Sequence, residues 1–262
     1  MRQVHKFKAV DVCQFPCLND NYGFLVRDRA SGQCAAIDTP DAQAISAAAA
    51  AEGWQISHIW NTHWHPDHTG GNSALKEHWN CEVIGPAAEA GRIPAADRLV
   101  EGGETVRLGD VSASVIATPG HTTGHIVFHL PGEQVAFVGD TLFALGCGRL
   151  FEGSPAQMWD SLLKLRALPD DTTVFCAHEY TAANARFAVT VEPDNTALQT
   201  RHEEIIRLRR DGIPTVPTKV GIEKETNPFL RADHAALKAG LGMTAASDVD
   251  VFAEVRQRKD NF

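Results

Sequence analysis

The chain has 262 residues, 44% of them hydrophobic and 22% charged, with a formal net charge of −9. This composition is typical of a globular protein whose core suffices for one domain plus a small appended one. The acidic balance argues against nonspecific nucleic-acid binding, and the sequence lacks the apolar run of about 18 residues that a membrane helix needs, so we expect neither partner.

The cysteines and the N-terminal segment bear on the cellular compartment. Six cysteines are spread along the chain without a CxxC pair, and we expect no disulfide framework in a chain of this length. Residues 1–10 are polar and are not followed by the apolar stretch of a secretory signal. We therefore predict buried, reduced thiols in a cytoplasmic protein.

Short β-rich runs alternate with helical stretches over the first two thirds of the chain. The predicted strands cover residues 24–27, 34–38, 56–62, 81–84, 111–118, 126–130, 135–138 and 172–177. One predicted helix begins at Thr39-Pro40-Asp41 and ends at Gly53. Two more cover residues 72–80 and 158–168.

Helical patterns dominate after residue 180. We predict helices over residues 196–210, 235–241 and 248–258, with an extended segment at 213–217. The sequence thus predicts an α/β domain over residues 1–180 and a small, mainly helical domain over 181–262.

Four of the predicted strands end next to a side chain that can bind a metal ion. These four side chains belong to His63, His121, Asp140 and His178. Because neighbouring strands bring their ends to one edge of a sheet, we expect these residues to converge.

The segment His63-Trp64-His65-Pro66-Asp67-His68 carries three imidazoles and one carboxylate. A lone histidine is more often a surface residue or a satisfied core residue than a ligand. Burying four such groups together without a metal would be costly, however, and zinc, iron and manganese all accept them as ligands. We therefore predict a metal site at this segment.

The ligands can be divided between two ions bridged by Asp140. The first ion takes His63, His65 and His121, and the second takes Asp67, His68 and His178. Such a set leaves each ion an open position, which favours catalysis over a closed structural site. We expect a supporting or structural role for His125. We interpret Asp38 as an ordinary residue, although its position at a strand end leaves a supporting role open.

Together, His63-x-His65-x-Asp67-His68, Gly120-His121-x-x-Gly124-His125, Asp140 and His178 resemble the metallo-β-lactamase fold. The resemblance implies an αββα sandwich with the metals at one edge. Because this fold supports several chemistries, the fold alone does not choose a substrate.

More local stretches resemble glyoxalase II, the hydroxyacylglutathione hydrolase family. They are Asp140-Thr141-Leu142-Phe143, Gly146-Cys147-Gly148-Arg149, Phe151-Glu152-Gly153, His178-Glu179-Tyr180-Thr181, Asn227-Pro228-Phe229-Leu230-Arg231 and Arg256-x-x-Lys259-Asp260-x-Phe262. The resemblance implies hydrolysis of S-D-lactoylglutathione to D-lactate and glutathione, the second step of methylglyoxal detoxification. It also implies that the helical tail binds glutathione.

Carried over residue by residue, the resemblance implies that Arg149, Tyr180, Arg256 and Lys259 bind the glutathione part, whose carboxylates suit cations and a phenol hydroxyl. Some relatives have Lys where this chain has Arg149, and some have Tyr where this chain has Phe151.

For the reaction, we hypothesise two divalent ions per chain, zinc first, with iron or manganese as alternatives. A metal-bound hydroxide attacks the thioester, and Asp67 and Asp140 are the catalytic carboxylates. The thiolate leaving group, with a parent pKa of about 8.5, needs no separate general acid. We expect a monomer.

Two other functions stay open. A glutathione persulfide dioxygenase of the same fold would use one iron and consume oxygen, and the complete second ligand set argues against it. A noncatalytic binding protein of this fold would be expected to lose ligands, whereas all seven are present here. A β-lactamase is less compatible, since such enzymes are usually exported and need no basic tail.

Overall fold

The computed structural model describes residues 2–262 and divides the chain into two compact units. The first comprises residues up to 117 together with 123–139, and the second comprises 118–122 and 140–262. Within the described residues, no helix combines the length and apolar character needed to cross a bilayer.

The first unit contains two β-sheets. One has seven strands in chain order, antiparallel from β1 to β4 and parallel from β4 to β7. They are β1 (Gln3–Lys6), β2 (Val10–Cys17), β3 (Asn21–Asp28), β4 (Cys34–Ile37), β5 (His58–Trp60), β6 (Glu82–Pro86) and β7 (Arg98–Val100). The other contains an antiparallel ladder of β8 (Thr105–Leu108), β9 (Val111–Ala117), β10 (Ile126–Leu130) and β11 (Val135–Gly139).

Aromatic side chains join the two sheets of this unit. The ring centroids of Phe24 and Phe137 lie 5.8 Å apart, and those of Trp60 and Phe128 lie 5.1 Å apart. The three helices of the unit are α1 (Ala42–Glu52), α2 (Pro66–Thr69) and α3 (Asn72–Trp79). Apolar residues of α1 and α3 pack with buried side chains of β2 to β6 in a further cluster, so one face of the seven-stranded sheet is covered by helices.

The second unit is mainly helical. Its strands form two short antiparallel pairs, β12 (Leu142–Phe143) with β13 (Gly146–Cys147), and β14 (Thr173–Cys176) with β15 (Thr218–Lys219). Its helices are α4 (Pro155–Arg166), α5 (Thr181–Val191), α6 (Thr196–Arg210), α7 (Val220–Thr226), α8 (Ala235–Gly240) and α9 (Asp248–Asp260). Ring contacts among Trp159, Phe187, Phe229 and Phe252, at 6.0–6.1 Å, link α4, α5 and α9 with the short 3₁₀ turn Pro228–Leu230.

Most predicted elements are present, with shifted ends. The predicted strand 56–62 is shorter, His58–Trp60, and the predicted extended segment 213–217 contains no strand. Several elements were not predicted from the sequence, namely β1, β2, β7, β8, β12, β13, β15, α2, α5 and α7. The domain boundary at residue 180 stays a prediction, since the compact units divide the chain elsewhere.

Candidate metal centre

Two pairs of potential ligand atoms lie close together in the first unit. His63 Nε2 and His65 Nδ1 are 3.0 Å apart, and His68 Nε2 is 3.3 Å from Asp67 Oδ2. With metal–nitrogen bonds of about 2.0–2.1 Å, neighbouring ligands of a tetrahedral ion lie about 3.3 Å apart. Both pairs therefore have the spacing of ligands that share an ion.

A buried carboxylate fixes which nitrogen of His68 carries the proton. Asp38 is 5% exposed and accepts hydrogen bonds from the Thr62 backbone N–H (2.7 Å) and hydroxyl (2.8 Å). Its Oδ2 also lies 2.8 Å from His68 Nδ1. Because a carboxylate only accepts, Nδ1 donates, and the lone pair stays on Nε2, where an ion would bind.

The same arrangement extends to His63. The Thr62 hydroxyl donates to Asp38, so its oxygen is left to accept from His63 Nδ1, 3.0 Å away. The His63 lone pair is then on Nε2, the atom that faces His65. His125, expected to support the centre, stacks on the His63 ring at 4.9 Å.

In the second unit, one carboxylate lies between two imidazoles. Asp140 Oδ2 is 3.4 Å from His121 Nε2, and its Oδ1 is 3.4 Å from His178 Nε2. Each oxygen thus pairs with a different histidine, again at the spacing of ligands on one ion. A carboxylate that presents its two oxygens to two different imidazoles has the geometry of a bridge between two ions.

A backbone carbonyl and an aromatic ring orient these two imidazoles. His121 Nδ1 lies 2.8 Å from the Arg149 carbonyl, which only accepts, so the His121 lone pair is on Nε2. The His178 ring stacks parallel on Tyr180, with centroids 4.7 Å apart. A Cβ on Gly148 would come 2.0 Å from the Asp140 carbonyl oxygen, so only glycine allows the chain to pass so close.

Gly139 directs the chain into Asp140. Its φ of +48° lies in the left-handed region, and a Cβ there would meet the Thr62 hydroxyl at 2.6 Å and His125 Nε2 at 2.7 Å. The glycine at position 139 therefore has a local physical reason.

A cavity of about 710 Å³ lies in the second unit, beside these ligands. Its wall includes His121 and Asp140 as well as Phe143, Phe151 and Tyr180. The volume is in the usual range of small-molecule sites, about 300–1,000 Å³.

Four cations line the same cavity, against two carboxylates. The cations are Arg149, Arg186, Arg256 and Lys259, and the carboxylates are Asp140 and Asp260. In a chain of net charge −9, this is a local excess of positive charge. Such an excess attracts anionic ligands.

The four residues predicted to bind glutathione all line this cavity, but their surroundings differ. Arg149 is exposed and Tyr180 is 36% exposed, so both can reach a ligand. Arg256 is 5% exposed, and its guanidinium donates to the Cys147 carbonyl (2.9 Å) and to Asp260 (2.9 Å). Its two terminal nitrogens therefore hold the cavity wall together, whereas its buried Nε has no hydrogen-bond partner among the described residues.

Lys259 is a half-buried cation. Its ammonium donates to the Ala183 carbonyl at 3.2 Å and lies over the rings of Phe187 and Phe262. Burial, followed by the nearby Arg256, Arg186 and Arg149, lowers the pKa of Lys259 to about 8.

A fully buried carboxylate anchors the β12–β13 hairpin of the cavity wall. Glu223 accepts from the Leu145 backbone N–H and the Asn227 amide, both at 2.9 Å, and pairs with Arg201. The same Asn227 amide donates to carbonyls of Phe143 and Gly146. This network fixes the loop that precedes Arg149.

Two residues, one beside a potential ligand and one in the cavity wall, were not predicted from the sequence. Asn21 donates to Asp67 Oδ2 at 3.1 Å and orients that carboxylate. Arg186 lines the cavity from α5. Neither residue stands in a motif, and only the folded backbone brings them to these positions.

The chain matches two protein-family models. Residues 30–178 match the metallo-beta-lactamase superfamily, and residues 179–262 match the hydroxyacylglutathione hydrolase C-terminus. Among curated relatives, the hydroxyacylglutathione hydrolase of Hyphomonas neptunium is 54% identical over 97% of this chain and 98% of its own length. That of Maricaulis maris is 55% identical over 95% of this chain and 97% of its own length.

Solved structures agree on the fold. The crystal structure of ETHE1 from Myxococcus xanthus is 25% identical, with a TM-score of 0.67 and coverage of 97% of this chain and 90% of that one. A structure of TTHA1623 in a di-iron-bound form is also 25% identical, with a TM-score of 0.59 and coverage of 80% and 95%. The metallo-β-lactamase fold expected from the sequence is confirmed.

Proposed function

This chain belongs to the hydroxyacylglutathione hydrolase family of the metallo-β-lactamase superfamily, and we propose that it hydrolyses S-D-lactoylglutathione at a two-metal centre. The single observation that carries the two-metal proposal is Asp140, whose two oxygens each lie 3.4 Å from a different histidine. The products are D-lactate and glutathione.

Seven side chains would hold the proposed ions. His63, His65 and His121 would hold one ion, Asp67, His68 and His178 would hold the other, and Asp140 would bind both. The support is the donor set itself, imidazole and carboxylate with lone pairs directed by Asp38, Thr62 and the Arg149 carbonyl. We propose zinc in both positions, and metal analysis distinguishes it from iron or manganese.

When bound, two divalent ions supply a Lewis acid for the thioester carbonyl and lower the pKa of a bound water. The side chains of this chain orient the reactants. Asp140, which only accepts hydrogen bonds, can hold a proton of the attacking water toward its carboxylate. The cationic cavity holds the glutathione part, so the thioester lies beside His121 and Asp140.

The leaving group needs little help from the protein. A thiol has a pKa of about 8.5, so the thiolate can depart without a strong general acid. Among the residues that line the cavity, the only carboxylate besides Asp140 is Asp260, which pairs with Arg256.

The domain and cellular assignments are also proposals. We propose that residues 181–262 form the glutathione-binding domain, supported by the cationic lining from α5 and α9. We propose a cytoplasmic location, since all six cysteines are free and buried, as in a reducing compartment. A monomer is proposed as well. Sedimentation of the purified protein tests the monomer.

The test of the reaction is the loss of thioester absorbance on adding S-D-lactoylglutathione to the metallated protein. Rapid loss with release of one thiol per thioester is the expected result. Oxygen uptake with glutathione persulfide, and no thioester hydrolysis, would replace the proposal by the dioxygenase.

A further inference from the structure

The cations that line the cavity are not equally engaged. Asp260 on α9 forms an ion pair with Arg256 at 2.9 Å and lies 3.7 Å from Arg149. Within residues 2–262, by contrast, Arg186 makes no hydrogen bond and no ion pair. Arg186 is exposed at the cavity wall, so its guanidinium is accessible to a ligand.

The position of Arg186 on α5 places it among the groups already assigned to the glutathione part. Ala183, one turn earlier on the same face, accepts a hydrogen bond from Lys259. The next residue, Phe187, lies under the Lys259 ammonium at 5.3 Å. Arg186 and Lys259 therefore face the same part of the cavity.

Concentrating like charges in this way is unfavourable while the cavity holds no anion. Arg149, Arg186 and Arg256 each act on Lys259 as repelling charges. A ligand with more than one carboxylate would relieve the repulsion and gain a planar, bidentate partner in Arg186.

From this we propose that Arg186 is a specificity-determining residue that binds a carboxylate of the glutathione part of the substrate. The proposal rests on the proposed function. Glutathione has two carboxylates, one on its glycine and one on its γ-glutamyl residue, and both are chemically suited to a guanidinium.

The test compares Arg186→Gln with Arg186→Lys and with Arg210→Gln, a matched control. Arg210 is an exposed arginine of α6 that pairs with Asp211 and does not line the cavity. We expect the KM of Arg186→Gln for S-D-lactoylglutathione to rise about three- to tenfold, with kcat within twofold of the wild type. Arg186→Lys should recover most of the loss, and the control should behave as wild type.

Two analogues identify the carboxylate. One has the glycine carboxylate converted to an amide, and the other has the α-carboxylate of the γ-glutamyl residue converted to an amide. If Arg186 binds one of these carboxylates, Arg186→Gln has no further effect on the analogue without it. Increased salt should raise the wild-type KM more steeply than that of Arg186→Gln.

An unchanged KM in Arg186→Gln, or a fall in kcat alone, would overturn the proposal. The proposal would also be overturned if Arg186→Gln raised the KM equally for S-D-lactoylglutathione and for both analogues. If the wild type itself does not hydrolyse the thioester, it is the proposed function that fails. The affinity of the variants for glutathione, measured by calorimetry, then still decides whether Arg186 binds a carboxylate: a wild-type affinity in Arg186→Gln would refute it.

Discussion

Replacing Asp38 by Asn should weaken metal binding without touching a metal ligand. Asp38 Oδ2 accepts from both His68 Nδ1 and the Thr62 hydroxyl, each at 2.8 Å. The substituted amide can keep its oxygen toward the Thr62 backbone N–H, but its NH₂ group then faces these two positions. Its donor forces the His68 proton onto Nε2, the nitrogen that faces Asp67.

The size of the effect follows from the role of such an orienting carboxylate. Losing one typically costs 10- to 100-fold in metal affinity, or about 1.4–2.8 kcal/mol. Because Asp38 is only 5% exposed, the apoprotein should also lose about 1.5–3 kcal/mol of stability with its charged hydrogen bonds.

The assay is competition with a chromophoric chelator, which measures metal affinity directly. Asp28→Asn is the matched control, since Asp28 is 1% exposed and accepts from the Ser31 hydroxyl and backbone, far along the chain from the ligands. The control should lower the denaturant midpoint and leave metal affinity unchanged. Wild-type metal affinity in Asp38→Asn would refute the tautomer argument.

Two further predictions concern the cavity. Glu223→Gln should destabilise the protein by about 3–5 kcal/mol, because it removes the charge of the fully buried Glu223 that pairs with the largely buried Arg201. Urea unfolding measures this loss, and a loss below about 1 kcal/mol, the range for an exposed pair, would contradict the prediction. Because burial and neighbouring cations lower the pKa of Lys259 to about 8, its charge is present below that pH and lost above it. The kcat/KM for a carboxylate-bearing substrate should therefore fall as pH rises through 8, and Lys259→Arg, which stays charged, should abolish this alkaline limb; a limb identical in both proteins would show that another group titrates.

The predicted metal ligands stand in sequence motifs, whereas several of the elements around them do not. The ligand motifs are local, and the strands before them are buried and β-branched. The apolar pattern of the strands and the spacing of the ligands could therefore be read from the sequence. Strand β1 was missed because its polar residues alternate between half-buried and exposed positions at the sheet edge. Helix α5 was missed because Tyr180 provides no side-chain cap.

The substrate-facing residues show what sequence patterns cannot supply. Arg256 was assigned to glutathione on its motif, yet its donors are directed to Cys147 and Asp260. Arg186 stands in no motif, and its lack of an acidic partner exists only in the folded chain. Charge and spacing predict that cations will line a site, whereas their individual partners depend on tertiary packing.

The central claim is a hydrolase with two metals, and the most direct test relates activity to metal content in one sample. The apoprotein, prepared by chelation, is titrated with zinc while hydrolysis of S-D-lactoylglutathione is followed. We predict no hydrolysis without metal, and a rate that rises until about two zinc ions are bound per chain. Hydrolysis that persists in the apoprotein, or that is complete with one ion per chain, would contradict the account.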